Sequence, residues 1–209
     1  TRAAVAAAGG KGAIPSVLSF RTQKGRLVNK GNSGYILDEG QKLERFQKLG
    51  VEQVFLPEFS DLAQMEAEDF VEDILFARLQ ARVVACGYDY SFGKDARGRV
   101  ELLQNCCERA GVTCIVLPQY RLDGEPVSSS RIRDCLLAGE IPQANRLLGY
   151  AYEITGPVIH GRSLGRTLGF PTLNQAFSPD RLVPRFGVYN STTVIEGRVY
   201  DSITNIGVK

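Results

Sequence analysis

The feature that most constrains the fold is a regular alternation of short apolar runs and helical patterns in residues 1–149. Four apolar runs have the length of buried strands, and three segments between them repeat apolar side chains at helical spacing. The strand candidates are residues 14–20, 51–56, 82–86 and 112–117. The helix candidates are residues 38–49, 66–80 and 99–110. Alternation of this kind predicts a parallel sheet covered by helices on both sides.

Local signals mark where helices begin and end. Asp38 stands at an N-cap position and Gln41 follows three residues later, so a capping box should open the helix at 38–49. Gly50 should end that helix. The alanine-rich residues 1–8 are interpreted as the end of another helix stopped by glycine, because no small-residue cleavage pattern of a signal peptide follows them.

The sequence changes character near Gly149, where we predict a domain boundary. Two helical pieces, at 129–138 and 142–148, precede this glycine. After it, β-branched residues, glycines and prolines dominate the chain. The prediction is therefore an α/β domain with a parallel sheet over residues 1–149 and an antiparallel β domain over residues 150–209.

Two strand candidates close the chain, at residues 187–195 and 198–206. They are separated by Glu196-Gly197, and a two-residue connection of this type predicts a tight β-hairpin. With the neighbouring β-rich segments, the hairpin favours a small antiparallel β-barrel for the second domain.

Composition argues against several classes of protein. A net charge of +2 is too small for the strongly basic face of a nucleic-acid binder. No apolar run approaches the roughly 20 residues that span a bilayer. The five cysteines form no C-x-x-C pair and His160 is the only histidine, so a structural zinc site is not expected. Buried reduced thiols in a cytoplasmic protein are the simpler interpretation.

The first of three distinctive segments covers residues 87–98, between a predicted strand and a predicted helix. Ligands of open parallel sheets bind at the carboxyl ends of the strands. Gly87 would let the backbone approach a ligand closely, and aromatic residues such as Phe92 can stack on a planar ring. A glycine-rich turn with packed aromatic residues explains the same composition, so both interpretations stay open.

The second segment, residues 127–133, places three serines at the start of a predicted helix. Free N–H groups and the helix dipole favour an anion there. Arg133 lies three residues after Ser130 and can lean over the same end, so Ser129, Ser130 and Arg133 could clamp a phosphate. Ordinary N-capping by serine accounts for the hydroxyls equally well.

The third segment, residues 161–174, is a glycine-rich basic loop that enters a predicted strand. Its loop residues include Gly161, Arg162, Gly165, Arg166 and Gly169. Thr172 and Asn174 offer oxygen ligands suited to a magnesium ion that bridges nucleotide phosphates. Alternation along the strand would put these two side chains on one face. The alternative is an exposed connection without a ligand.

These segments resemble the signatures of one family. Residues 127–133, VSSSRIR, are similar to the ISSTxIR signature of nucleotidylyltransferases, and residues 168–174, LGFPTLN, resemble the riboflavin-kinase signature LGFPTAN. Residues 87–98 look like the flavin-side loop of the same proteins. From about residue 13 to its end, the chain resembles the prokaryotic bifunctional riboflavin kinase/FMN adenylyltransferase (FAD synthetase) family.

The resemblance implies a nucleotidylyltransferase-type α/β domain over residues 1–149 and a riboflavin-kinase β-barrel over residues 150–209. It implies ATP, riboflavin and FMN as substrates, Mg²⁺ as cofactor and cytoplasmic localisation, with neither a nucleic acid nor a membrane as partner.

The resemblance also implies roles for individual residues. In the first domain, ATP phosphates would be held by Ser129, Ser130 and Arg133, and the flavin would lie beside Gly87, Asp89 and Phe92. In the second domain, the nucleotide would be bound by Gly161, Arg162, Arg166, Gly169, Phe170 and Thr172. The Mg²⁺ ligands would be Thr172 and Asn174.

Some elements of the family are missing from these residues. The HxGH motif of the adenylyltransferase is expected upstream of Thr1 and the glutamate base of the kinase beyond Lys209, so we expect a chain cut at both ends. Residues 20–23, FRTQ, lack the histidine–proline pair usual at that place. Two alternatives stay open. The first is a single-activity enzyme in which one domain is inactive, and Leu173, which replaces the alanine of the LGFPTAN signature, makes the kinase domain the candidate. The second is a catalytically silent flavin- or nucleotide-binding protein.

Overall fold

The computed structural model describes residues 1–21, 34–161, 169 and 172–207. The chain divides into two compact units, one formed by Thr1–Gln23 with Leu37–Tyr120 and the other by Lys24–Ile36 with Arg121–Lys209. The functional domain boundary near Gly149 stays a prediction. In the described part of the chain, no helix has both the length and the apolar character needed to cross a membrane.

The first unit begins with a strand pair and its helices. In chain order these are α1 (Arg2–Gly9), β1 (Ser16–Leu18), α2 (Glu39–Lys48) and β2 (Gln53–Phe55). Strands β1 and β2 pair in parallel, with Val17 opposite Val54. The predicted capping box of α2 is confirmed, because Asp38 Oδ1 accepts from the Gln41 N–H at 2.8 Å and the Gln41 side chain accepts from the Asp38 N–H at 3.3 Å.

The rest of the first unit repeats the strand–helix pattern. Its helices are α3 (Phe59–Leu62), α4 (Ala67–Asp69), a π-helical continuation (Phe70–Arg78), a 3₁₀ turn (Lys94–Ala96) and α5 (Val100–Arg109). Its strands are β3 (Val83–Gly87), β4 (Ser91–Phe92), β5 (Gly98–Arg99) and β6 (Thr113–Leu117). Strands β3 and β6 are parallel, with Val84 opposite Cys114, so the predicted parallel pairing is confirmed.

The core of the first unit lies where the π-helix and α5 meet β3 and β6. Val71 and Leu103 are completely buried, and Cys107 is 1% exposed. Burial, with Cys114 as the next contributor, raises the pKa of the Cys107 thiol to about 12. Because a thiol with this pKa stays protonated at neutral pH, the buried cysteines act as small apolar side chains.

The second unit opens with a small hairpin and two helices. These are β7 (Arg121–Leu122), β8 (Glu125–Pro126), α6 (Ser129–Ala138) and α7 (Ile141–Leu148). Helices α6 and α7 share a buried cluster that includes Leu136, Ala144 and, from farther along the chain, Leu182. This packing fixes α6 on one side and leaves Ser129 and Ser130, at its start, exposed.

The end of the chain is antiparallel, as predicted. Its strands are β9 (Val158–Ile159), β10 (Asn174–Gln175), β11 (Gly187–Ile195) and β12 (Arg198–Ile206). Strand β9 pairs with β10, and β11 pairs with β12. Glu196 and Gly197 have φ values of 50° and 78°, which are the left-handed values that a type I′ hairpin turn requires. The predicted fold class, a parallel α/β part followed by antiparallel β, is confirmed.

Candidate functional site

The start of α6 combines a closed cap with free polar groups. The Ser128 hydroxyl is the N-cap acceptor and receives the N–H of Arg131 at 3.2 Å. Ser129 and Ser130 are exposed, and within the described residues their hydroxyls make no hydrogen bond. Their N–H groups belong to the first turn of a helix, where no intrahelical acceptor exists. Capping by Ser128 therefore leaves Ser129 and Ser130 available for the predicted anion binding.

Arg131 fastens this helix start to the β7–β8 hairpin. Its Nη1 lies 3.3 Å from the carbonyl oxygens of Leu122, Glu125 and Pro126. A guanidinium bonded to several carbonyls of one turn fixes that turn against the helix. Arg131, which lies between the candidate phosphate ligands Ser130 and Arg133 in the sequence, thus has a structural role.

Arg133 lies one turn below the exposed serines. It is half-buried, and its Nε donates to the Gly34 carbonyl oxygen at 3.5 Å. This contact uses one edge of the guanidinium and restrains its position. The predicted role of Arg133 as a phosphate ligand stays a prediction.

The segment at 87–98 begins at the carboxyl end of β3. Gly87 is the last residue of that strand, and Asp89 is exposed just beyond it. The Tyr88 hydroxyl, in the same turn, accepts a hydrogen bond of 2.6 Å from Gln119 Nε2, which follows β6. These polar groups therefore gather at the carboxyl edge of a parallel strand pair, where ligands of such sheets bind.

Phe92 occupies a different environment from Gly87 and Asp89. Its ring is 6% exposed and packs in the core, 5.4 Å from the Tyr90 ring and 5.6 Å from the Phe70 ring. Burial, followed by the nearby Cys86, raises the pKa of Tyr90 to about 12, so this phenol stays neutral. The Phe92 side chain supports the loop from below and is not displayed at its surface.

Two glycines of this segment are explained by packing. Gly93 has a φ of +71°, and a Cβ there would lie 2.6 Å from the Ala67 Cα. A Cβ on Gly98 would lie 2.6 Å from the Phe92 ring. Both positions require glycine for close approach within the core, which accounts for part of the glycine-rich composition without a ligand.

In the third segment the structure brings Gly161 and Asn174 together. A Cβ on Gly161 would lie 2.9 Å from Asn174 Cγ and 3.2 Å from its Oδ1, so the glycine backbone packs directly on this amide. Asn174 is half-buried and begins β10, opposite Ile159 of β9.

Thr172 is exposed and precedes the strand. Strand β10 pairs with β9 through Asn174 and Gln175 alone, so the expectation that Thr172 and Asn174 share one face stays a prediction. Gly169 is exposed with a φ of +79°. The predicted nucleotide ligands Arg162, Arg166 and Phe170 lie outside the described residues.

The donor set of this region suits a hard cation held by neutral oxygens. Asn174 supplies an amide oxygen and Thr172 a hydroxyl, both of which are Mg²⁺-type ligands. Among the described residues, no group of three or more His, Cys, Asp or Glu side chains could hold a metal. A Mg²⁺ here would accordingly need phosphate oxygens to complete and neutralise its coordination, as expected for a metal that arrives with a nucleotide.

Several residues that shape these sites were not singled out from the sequence. Ser128 forms the cap, Arg131 anchors the helix start, Gln119 binds Tyr88, and Gly34 accepts from Arg133. Serine is among the residues preferred at a helix N-cap. With three adjacent serines, however, the sequence could not tell which one is the cap.

Comparison with known proteins assigns a family model to each half of the chain. The FAD synthetase model matches residues 2–131, and the riboflavin kinase model matches residues 148–209. The first match alone covers more than half of the chain.

Curated relatives agree with both models. A bifunctional riboflavin kinase/FMN adenylyltransferase of Listeria monocytogenes is 33% identical over 204 residues, which are 96% of this chain and 64% of the relative. Its Bacillus subtilis counterpart is 30% identical over 95% of this chain and 63% of the relative. That of Pseudomonas fluorescens is 37% identical over 77% and 51%. The chain thus spans less than two thirds of each of these relatives.

A solved structure shares the fold. A Streptococcus pneumoniae crystal structure, described as a macrolide-efflux protein, superposes with a TM-score of 0.86 at 28% sequence identity. The match covers 99% of this chain and 67% of that one.

Proposed function

Because the chain belongs to the FAD synthetase family, we propose that the full-length protein makes FMN from riboflavin and FAD from FMN. Both steps transfer a phosphorus group from ATP to a flavin. The observation that carries the proposal is the start of α6, where Ser129 and Ser130 are exposed and unbonded among the described residues although Ser128 already caps the helix. A helix with a completed cap has no structural need for two further hydroxyls.

In the adenylylation step, the α6 start would hold the phosphates of ATP. The first-turn N–H groups, the hydroxyls of Ser129 and Ser130 and the guanidinium of Arg133 are donors, and a triphosphate supplies acceptors. The phosphate of FMN attacks the α-phosphorus of ATP, the α–β bond breaks, and pyrophosphate leaves. Donors that bind the departing charge speed such a reaction without a covalent intermediate.

The flavin of this step is assigned to the carboxyl edge of β3. Of the residues predicted to contact the flavin, Gly87 and Asp89 lie at the carboxyl end of β3. The hydrogen bond between Tyr88 and Gln119 restrains the turn between β3 and β4. Phe92 would act by supporting this turn, since its ring is buried against Phe70 and Tyr90.

In the kinase step, the segment at 161–174 would hold a second ATP. The ribityl hydroxyl of riboflavin attacks the γ-phosphorus, and ADP leaves. Thr172 and Asn174 would hold Mg²⁺, which when bound draws charge from the phosphate oxygens. Gly161 keeps the Asn174 amide in place by close packing, and Arg162, Gly169, Arg166 and Phe170 are the proposed loop residues over the nucleotide.

We assign these reactions to the cytoplasm and to small-molecule substrates alone. The five cysteines are free, and Cys86, Cys106, Cys107 and Cys135 are buried. Buried free thiols are typical of proteins from reducing compartments.

Separation of the two activities tests the proposal. In the full-length protein, Arg133→Ala should lower conversion of FMN to FAD at low ATP by about 100-fold, because ATP binding loses hydrogen bonds between charged groups. FMN formation from riboflavin should persist, and Asn174→Ala should give the opposite pattern. Chromatography of the flavin products after incubation with ATP measures both.

Matched variants control for general damage. Arg146→Ala removes an exposed arginine of the same unit whose partners, within the described part of the chain, are Asp123 and Gln143. Asn190→Ala removes an exposed asparagine of β11. Both should leave the two activities within about twofold of wild type, since isolated surface changes have small effects. Equal loss of both activities in Arg133→Ala or in Asn174→Ala would refute the modular assignment.

A further inference from the structure

Gly34 is pressed against the backbone of a distant part of the chain. A Cβ on Gly34 would lie 2.6 Å from the carbonyl carbon of Arg181 and 2.6 Å from Leu182 Cα. Both neighbouring atoms belong to the backbone, which cannot rotate away as a flexible side chain could. Position 34 therefore accepts only glycine without a shift of one of the two segments.

Hydrogen bonds lock the same two segments together. The Tyr35 N–H donates to the Asp180 carbonyl oxygen at 2.8 Å, and the Leu182 N–H donates to the Tyr35 carbonyl oxygen at 3.0 Å. Tyr35 and Arg181 form a parallel bridge. The position of Gly34 is thus determined by residues 180–182.

Residues 180–182 are themselves fixed by their surroundings. The Tyr152 hydroxyl donates to the Leu182 carbonyl oxygen at 2.8 Å and accepts from Arg181 Nε at 3.3 Å. The Arg181 guanidinium also lies over the Tyr152 ring, 5.2 Å from its centroid. Leu182 is 3% exposed, and its side chain joins the cluster formed by the buried face of α6.

This part of the chain also holds the opposite end of α6. The Arg185 N–H donates to the Leu136 carbonyl oxygen at 3.0 Å, and Arg185 Nη1 reaches the Ala138 carbonyl oxygen at 3.5 Å. Free carbonyls at a helix C-terminus are favourable partners for a cation. Residues 180–185 consequently contact α6 at its C-terminus, along its buried face and, through Gly34, beside Arg133.

We propose that residues 180–185 position the phosphate-binding arginine of α6, with Gly34 as the intermediary that presents its carbonyl oxygen to Arg133 Nε. Residues 180–185 lie within the match to the riboflavin kinase model, whereas α6 carries the adenylylation site proposed above, on which this inference rests. Residues matched by the kinase model thereby position Arg133, a side chain that serves the adenylylation reaction. Gly34, Tyr152 and Leu182 are positioning residues that touch no substrate themselves.

Gly34→Ala in the full-length protein tests the proposal. The new Cβ must displace Gly34 from Leu182, and the carbonyl oxygen that restrains Arg133 moves with it. The KM for ATP in FAD formation from FMN should rise about tenfold, the effect of weakening one hydrogen bond to a charged group, with kcat nearly unchanged. The KM for ATP in FMN formation should not change.

Tyr152→Phe provides a gentler variant if Gly34→Ala folds poorly. It removes the hydroxyl that bonds Leu182 and Arg181 but keeps the ring, so the KM for ATP in FAD formation should rise about threefold. Gly9→Ala is the matched control, because a Cβ there meets no atom within 4 Å, and it should leave both reactions unaltered.

A double variant separates positioning from a merely structural role. In Arg133→Lys, the Nε donor is gone, so adding Gly34→Ala should change the KM for ATP by less than about twofold. If the KM for ATP in the double variant rises by the product of the two single-variant effects, the proposal is overturned. It is also overturned if wild type makes FAD but neither Gly34→Ala nor Tyr152→Phe changes the KM for ATP in that reaction. If wild type makes no FAD, the proposed function fails as well.

Discussion

The two proposed phosphate sites are built by different means. At the start of α6, a cap from Ser128, a clamp from Arg131 to three carbonyls and a buried helix face fix the backbone independently of the exposed ligand groups. At Gly161 and Asn174, the ligand amide begins a two-residue strand and is held by contact with a glycine.

This difference indicates how each site should respond to change. The α6 site has separate residues for shape and for binding, so single truncations should reduce binding and leave the frame intact. At the second site, the Asn174 amide that would bind the metal also forms the packing contact with Gly161. Small additions of volume there should therefore be more damaging than removal of one hydroxyl at α6.

The largest effect is expected for Gly161→Ala. The added Cβ would approach Asn174 Cγ to 2.9 Å and displace the amide. FMN formation should fall about 100-fold, the scale associated with a 1 Å misplacement of a positioned group, while FAD formation from FMN stays normal. Steady-state assays of both reactions check this, with Gly9→Ala as the comparison. Unchanged FMN formation would remove the contrast between the two sites.

A smaller effect is expected for Ser130→Ala. It removes one neutral donor from a frame that other residues hold, so FAD formation should fall about tenfold through the KM for ATP, with an unchanged melting temperature. Ser60→Ala is a matched control, since Ser60 is also an exposed serine in the first turn of a helix. A drop in melting temperature for Ser130→Ala would mean that its hydroxyl serves the fold.

The smallest effect on activity is expected for changes of the cap. Ser128→Ala should lower the free energy of unfolding by about 1 kcal/mol, because the Arg131 N–H loses its acceptor. Ser128→Asp should restore stability, since aspartate caps helices well, yet it should raise the KM for ATP because its charge repels phosphate. Thermal unfolding and kinetics together separate capping from binding. Unchanged stability in Ser128→Ala would show that the cap contributes little.

Local patterns allowed much of the fold to be predicted. The hairpin strands have the predicted bounds, Gly187–Ile195 and Arg198–Ile206, because residue alternation and Glu196-Gly197 specify register and turn within one segment. The capping box at Asp38 and Gln41 is a similar case, since both partners lie three residues apart. The helix at 66–80 was also predicted, but its π-helical hydrogen bonding over Phe70–Arg78 leaves no mark in apolar spacing.

The remaining features depend on contacts between distant residues. An aromatic ring in a glycine-rich loop can stack on a ligand or join the core, and only packing shows that Phe92 is buried. Strand β10 comprises only Asn174 and Gln175, and the extent of a strand pair depends on a partner that the local sequence does not identify. The contact of Gly34 with Leu182 joins residues far apart in the chain, so no local signal announces it.

ATP-binding stoichiometry of the full-length protein tests the central claim most directly. Isothermal titration with ATP and Mg²⁺ in the absence of flavin should give two sites per chain in wild type and one in either Arg133→Ala or Asn174→Ala. The double variant should bind none. A single site in wild type, abolished by either substitution alone, would contradict an account in which two separate parts of the chain each bind a triphosphate.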